Sequence, residues 1–151
     1  MSGYVRPTTL ATLVQTVALL VGTAVVGVVT HELSHLVVLR LAGVSCTVEV
    51  LPGRSDGQFS AGIGSPLARV RPTHVPENVS PWTLRCAALT PLCLAVPLAL
   101  ILAGVVPDPF ASGSVGGELA LVVWVGCSIP SPQDFSVAWY PERAVETARH
   151  L

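Results

Sequence analysis

Between Arg6 and Glu32 the chain carries no charged residue, and most positions from Leu10 to Val29 are apolar or small. A run of that length is too long for a strand. As a helix it matches the roughly 20 residues needed to cross the hydrocarbon of a bilayer. Two further stretches share its character, one from about Leu84 to Val106 and one that starts near Val115 and meets Pro130 and Pro132. Hydrophobic residues make up 51% of the chain and charged residues only 11%, where soluble proteins carry about 25% charged. The expected fold is therefore an all-α membrane protein with three transmembrane helices, over about residues 10–41, 84–106 and 115–130. With 151 residues, the whole chain is expected to form a single integral-membrane domain. The first apolar stretch exceeds a signal-peptide core and no clear A-x-A site follows, so it is expected to remain as a helix.

Helix punctuation supports these limits. Gly43 is placed to close the first span, and Ser80-Pro81 is an N-cap followed by proline at the first helical position. Pro107 and Pro109 end the second span. Tyr140-Pro141-Glu142 opens a short polar helix, Glu142 to about His150, at or outside the membrane surface. Between the first two spans Thr47-Val48-Glu49-Val50 alternates as a strand does, and Pro52-Gly53 makes a turn after it. A return strand is expected over Gln58 to Ile63, giving a small hairpin or sheet.

The connection between the first and second spans, with its flanks, holds Arg40, Arg54, Arg69, Arg71 and Arg85, whereas the next connection holds only Asp108 and Glu118. The positive-inside rule then puts the long connection and the C-terminus in the cytoplasm and the N-terminus outside, in a multi-pass protein of the cell membrane. The lipid bilayer is the first expected partner. A formal net charge of −1 gives no reason to expect nucleic acid. The four cysteines lack C-x-x-C or zinc-ribbon spacing and read as packing residues. No oligomeric state follows from the sequence.

Chemistry concentrates in His31-Glu32-Leu33-Ser34-His35. Histidines four apart project from one helix face and can share a metal, and Glu32 beside the first is placed as a general base. Zinc suits such a site, since it acidifies bound water and polarises a carbonyl. Ionisable groups this close to the hydrocarbon are costly and so point to function. A catalytic zinc takes three protein ligands, and depth narrows the third. His31 lies about 32 Å of helix from Leu10, and Asp134 at most about 30 Å from Val115 if that stretch is mostly helical. Asp134 is the best match. Glu118 falls at the wrong face, Glu142 and Glu146 lie past the bilayer, and depth alone leaves His74 and Glu49 open. Ser128 to Asp134 holds two prolines that break the helix before the carboxylate, as a water-filled cavity at membrane depth requires.

These features together resemble the site-2 protease family of intramembrane zinc metalloproteases. His31-Glu32-Leu33-Ser34-His35 with the spaced Arg40 and Gly43-Val44 is similar to the family's first-span motif. Ala87-Ala88-Leu89-Thr90-Pro91-Leu92 resembles its Ala-Gly-Pro-Leu-Ala-Asn element, with Thr90 where glycine is usual and Leu94 where asparagine is usual. Ser128 to Asp134 resembles its Asn-x-x-Pro-x-Pro-x-x-Asp-Gly element, without the asparagine, with the prolines shifted by one and with Phe135 in place of the last glycine. The resemblance implies one Zn2+ per chain on His31, His35 and Asp134, with Glu32 as catalytic base. It also implies single-span membrane-protein substrates, cleaved in or near their transmembrane segments. Expected substrate contacts are Pro91, Pro130 and Pro132, with Val48, Glu49 and Val50 as a strand edge for an unwound substrate. Two alternatives remain open: a catalytically weak relative acting as a membrane scaffold or regulator, and a metal-handling membrane protein.

Overall fold

The protein is described by a computed structural model covering residues 7–50, 68–74, 76, 79–111 and 113–149. Its first element, α1 (Pro7–Leu41), is one unbroken helix of 35 residues. At 1.5 Å per residue it runs about 50 Å, more than the roughly 30 Å of hydrocarbon. Gly43 ends it with φ 77°, a backbone that costs glycine nothing. Val44 N–H then donates to Leu39 O (2.9 Å) and Gly43 N–H to Arg40 O (3.0 Å), the paired bonds of a Schellman cap. The accompanying apolar contact is present, since Leu39 and Val44 are both buried in one cluster.

The chain continues into β1 (Ser45–Val50), which pairs antiparallel with β2 (Ala68–His74). The expected return strand, Gln58 to Ile63, lies outside the described residues, and the observed partner is further along the chain. Ala68-Arg69-Val70-Arg71 alternates small or apolar with charged residues, the period a half-buried strand needs. Val48 sits opposite Val70, Glu49 opposite Arg69 and Val50 opposite Ala68.

The second span starts at α2 (Pro81–Leu89), where the Ser80 side chain accepts from Trp82 N–H and Pro81 fills the first turn. It does not continue as a plain helix. Thr90–Ala95 tightens into a 3-10 turn before α3 (Val96–Leu102), because Pro91 and Pro97 each withdraw a donor from the helical ladder. Apolar helix nevertheless persists from Pro81 to Leu102, long enough to cross a membrane.

The third span differs from expectation at its end. The helix α4 (Val115–Cys127) stops, but after a four-residue break the chain resumes as α5 (Pro132–Trp139), and α6 (Pro141–Arg149) follows. Pro130 and Pro132 were expected to terminate the span. Pro132 instead occupies the first turn of a new helix, where its missing N–H is no loss. Val115 to Trp139 as a whole is long and apolar enough to cross, so three candidate spans stand.

Polar chemistry and packing gather at one end of the bundle. Leu39, Val44, Leu84, Ala87 and Val145 form a buried cluster that ties the end of α1 to α2, α6 and the sheet. Further along, α1 and α4 lie close because position 27 is glycine. A Cβ there would sit 2.6 Å from Cys127 Sγ and 2.9 Å from Cys127 Cβ, inside any allowed contact.

Candidate metal centre

One turn below Gly27 on the same helix face stands His31, and one turn further His35. Their rings meet edge to face with centroids 5.0 Å apart. Asp134, in the first turn of α5, reaches between them. His31 Nε2 lies 3.5 Å from Asp134 Oδ2, and His35 Nε2 lies 3.4 Å from Asp134 Oδ1. The three residues offer ligand atoms all within 4.8 Å of one another, so this group could hold a metal ion. Among the described residues the structure brings together all three ligands expected from the sequence.

The far side of each imidazole is held. His31 Nδ1 is 2.7 Å from Cys127 O, and His35 Nδ1 is 2.8 Å from Ala87 O. A carbonyl oxygen can only accept, so each Nδ1 must carry the hydrogen. In a neutral ring that leaves Nε2 as a bare lone pair, and both lone pairs face the Asp134 carboxylate. Three electron-rich groups gathered without a cation repel one another. The distances also exceed the roughly 2.7–2.9 Å of a charge-assisted N–H···O bond. Two imidazoles and a carboxylate are a donor set that zinc takes in catalytic sites. The donor set therefore fits zinc.

Asp134 is held as firmly. Ser131 Oγ accepts from Asp134 N–H (3.2 Å), and Ser131 N–H donates to Asp134 Oδ2 (2.7 Å), a complete capping box. This device satisfies two orphan donors at the helix start while fixing the carboxylate. Ser131 was not singled out from the sequence, although Ser131-Pro132-Gln133-Asp134 has the S-x-x-acid spacing with proline at the first helical position. Nearby polar side chains are satisfied within their own helix: Ser34 Oγ donates to His31 O and Thr30 Oγ1 to Val26 O.

Glu32, beside His31 on α1, also reaches the sheet. Its Oε2 accepts from Val70 N–H at 3.3 Å, which no sequence signal indicated. That bond also sets the orientation of the sheet. Val70 N–H points away from β1, so the Val48–Val70 pair is a non-hydrogen-bonded pair of the ladder. Val48's own N–H and C=O then point to the outer edge of β1, and its side chain is exposed. Glu49 and Val50 lie on the same strand. Cys46, also on β1, is pushed up by burial, so it stays a thiol near neutral pH.

Burial separates the expected substrate-contacting prolines. Pro132 is exposed, but Pro130 is buried and Pro91 is among the most deeply buried residues. Neither Pro91 nor Pro130 offers a surface to a substrate chain. Each follows within four residues of the carbonyl, Ala87 O or Cys127 O, that meets an imidazole Nδ1. No known protein family, curated protein or solved structure matches this chain at a significant level.

Proposed function

We propose that the protein is a zinc endopeptidase that hydrolyses peptide bonds in or near transmembrane segments of membrane proteins. The observation that carries this reading is the pair of imidazole Nε2 atoms turned onto one carboxylate, with an acid next in sequence to the first imidazole. The motifs that resemble site-2 proteases support the same reading. His31, His35 and Asp134 would hold the ion. Zinc bound there would supply Lewis acidity, polarising a scissile carbonyl and bringing the pKa of a water ligand to about 7.

The chain's own groups perform the rest. Glu32 accepts a proton from the attacking water and passes it to the amine that leaves as the C–N bond breaks. Val70 N–H occupies Oε2, which fixes the carboxylate and leaves Oε1 for that proton. The ligand side chains keep 12%, 10% and 17% exposure for His31, His35 and Asp134, so none of the three is fully enclosed. A helical peptide bond is shielded by its own hydrogen bonds, so a substrate must unwind first. The outward groups of Val48 offer an extended segment a strand to join.

The test compares wild type with Glu32→Gln, purified in detergent and incubated with a panel of single-span substrates. The expected outcome is equal zinc in both proteins and cleavage by the wild type alone. Cleavage that survives in Glu32→Gln would refute its assignment as the base.

A further inference from the structure

Each imidazole leans on a backbone carbonyl, and a carbonyl inside an apolar helix is normally already occupied. Ala87 O would accept from the N–H four residues on, but residue 91 is proline and has none. Thr90 N–H takes one lone pair of Ala87 O, and His35 Nδ1 takes the other at 2.8 Å. The first-span ligand next door repeats the pattern. Cys127 O would accept from residue 130 or 131 as α4 tightens at its end. Residue 130 is proline, and the N–H of Ser131 is directed to Asp134 Oδ2 instead. His31 Nδ1 takes the open acceptor at 2.7 Å.

Backbone groups released at membrane depth must find a partner within the protein. Here each released carbonyl finds an imidazole, and two separate spans use the same device. We infer that Pro91 and Pro130 are positioning residues: by withholding an N–H, each frees the carbonyl that holds one ligand histidine with its Nε2 toward Asp134. Pro91 thus sets His35 through Ala87 O, and Pro130 sets His31 through Cys127 O. The inference about metal affinity rests on the zinc reading above; the placement of the ring hydrogens does not.

The device predicts effects that a general loss of packing would not produce. Pro91→Ala restores an N–H that competes for Ala87 O and should release His35 alone. Pro130→Ala should release His31 alone. Replacing Pro91 by lactic acid, which keeps alanine's methyl group but forms an ester without an N–H, should restore the arrangement. Two readouts are needed. Nitrogen-15 spectra of metal-free protein distinguish protonated from bare ring nitrogens, and chelator competition with Zn2+ gives the affinity. Wild type should show hydrogen on Nδ1 of both histidines. In Pro91→Ala the hydrogen on His35 should redistribute to Nε2 while His31 is unchanged, and zinc affinity should fall about 10–100-fold, the usual cost of losing an outer partner of a metal ligand. The lactate variant should recover both. Three results would overturn the inference: both histidines changing together, the alanine and lactate variants behaving alike, or Pro91→Ala leaving the spectrum unaltered. A wild type that binds no zinc would refute the metal reading, and the metal-free spectra would still decide the role of the prolines.

Discussion

The two ends of α1 present opposite solutions to the same environment. From Thr9 to about Val26 the helix offers apolar side chains outward, with Leu13, Val14 and Val21 all more than half exposed. In its most apolar window only 6% of residues are buried in protein. From Gly27 to Leu41 the same helix meets α4, α2, α5 and the sheet, and it carries His31, Glu32 and His35. The first part is mostly outward-facing and needs little beyond an apolar surface long enough to cross a bilayer. The second part needs particular residues at particular positions, because every polar group there requires a partner. Substitutions should therefore be unequal along one continuous helix.

The largest effect is expected at the ligands. His35→Ala or Asp134→Ala should cost more zinc affinity than the roughly 100-fold upper range for an outer partner, as measured by chelator competition. Glu32→Gln comes next, with hydrolysis reduced about 10²–10⁴-fold and zinc content unchanged. Gly27→Leu should push α4 away from α1. Overpacking of this kind destabilises by about 1–3 kcal/mol, visible as a lower unfolding midpoint in detergent, and it should weaken zinc binding by drawing Cys127 O from His31. Ser131→Ala removes one half of the capping box and should cost about 1 kcal/mol. Val21→Leu, on the outward-facing part, should change stability by no more than about 0.5 kcal/mol. Equal sensitivity at Val21 and Gly27 would break the contrast between the two ends.

That contrast also explains what could be read in advance. The three spans were legible because hydrocarbon imposes a simple requirement on composition and length. His31 and His35 were legible because helical spacing alone puts them on one face, and Asp134 followed from matching depths in two spans. Gly43 and Ser80-Pro81 announced their helix ends through local chemistry. Longer-range consequences were not legible. Pro91 reads as a helix breaker, but nothing in its neighbourhood tells which distant side chain will claim the carbonyl of Ala87. Pro132 reads equally as a stop or a start, and the decision belongs to Ser131 and Asp134 bonding across it. The expected return strand, Gln58 to Ile63, lies outside the described residues, and Ala68–His74, which pairs with β1, was not anticipated because its role depends on distant partners. Val70 contributes to the site through a backbone N–H, which leaves no trace in residue type.

Metal content tests the central claim most directly. Protein purified without chelators should contain one zinc per chain in wild type and in Glu32→Gln, and none in His31→Ala/His35→Ala. A wild-type chain that retains no zinc after purification, and takes up none when Zn2+ is supplied, would contradict the account.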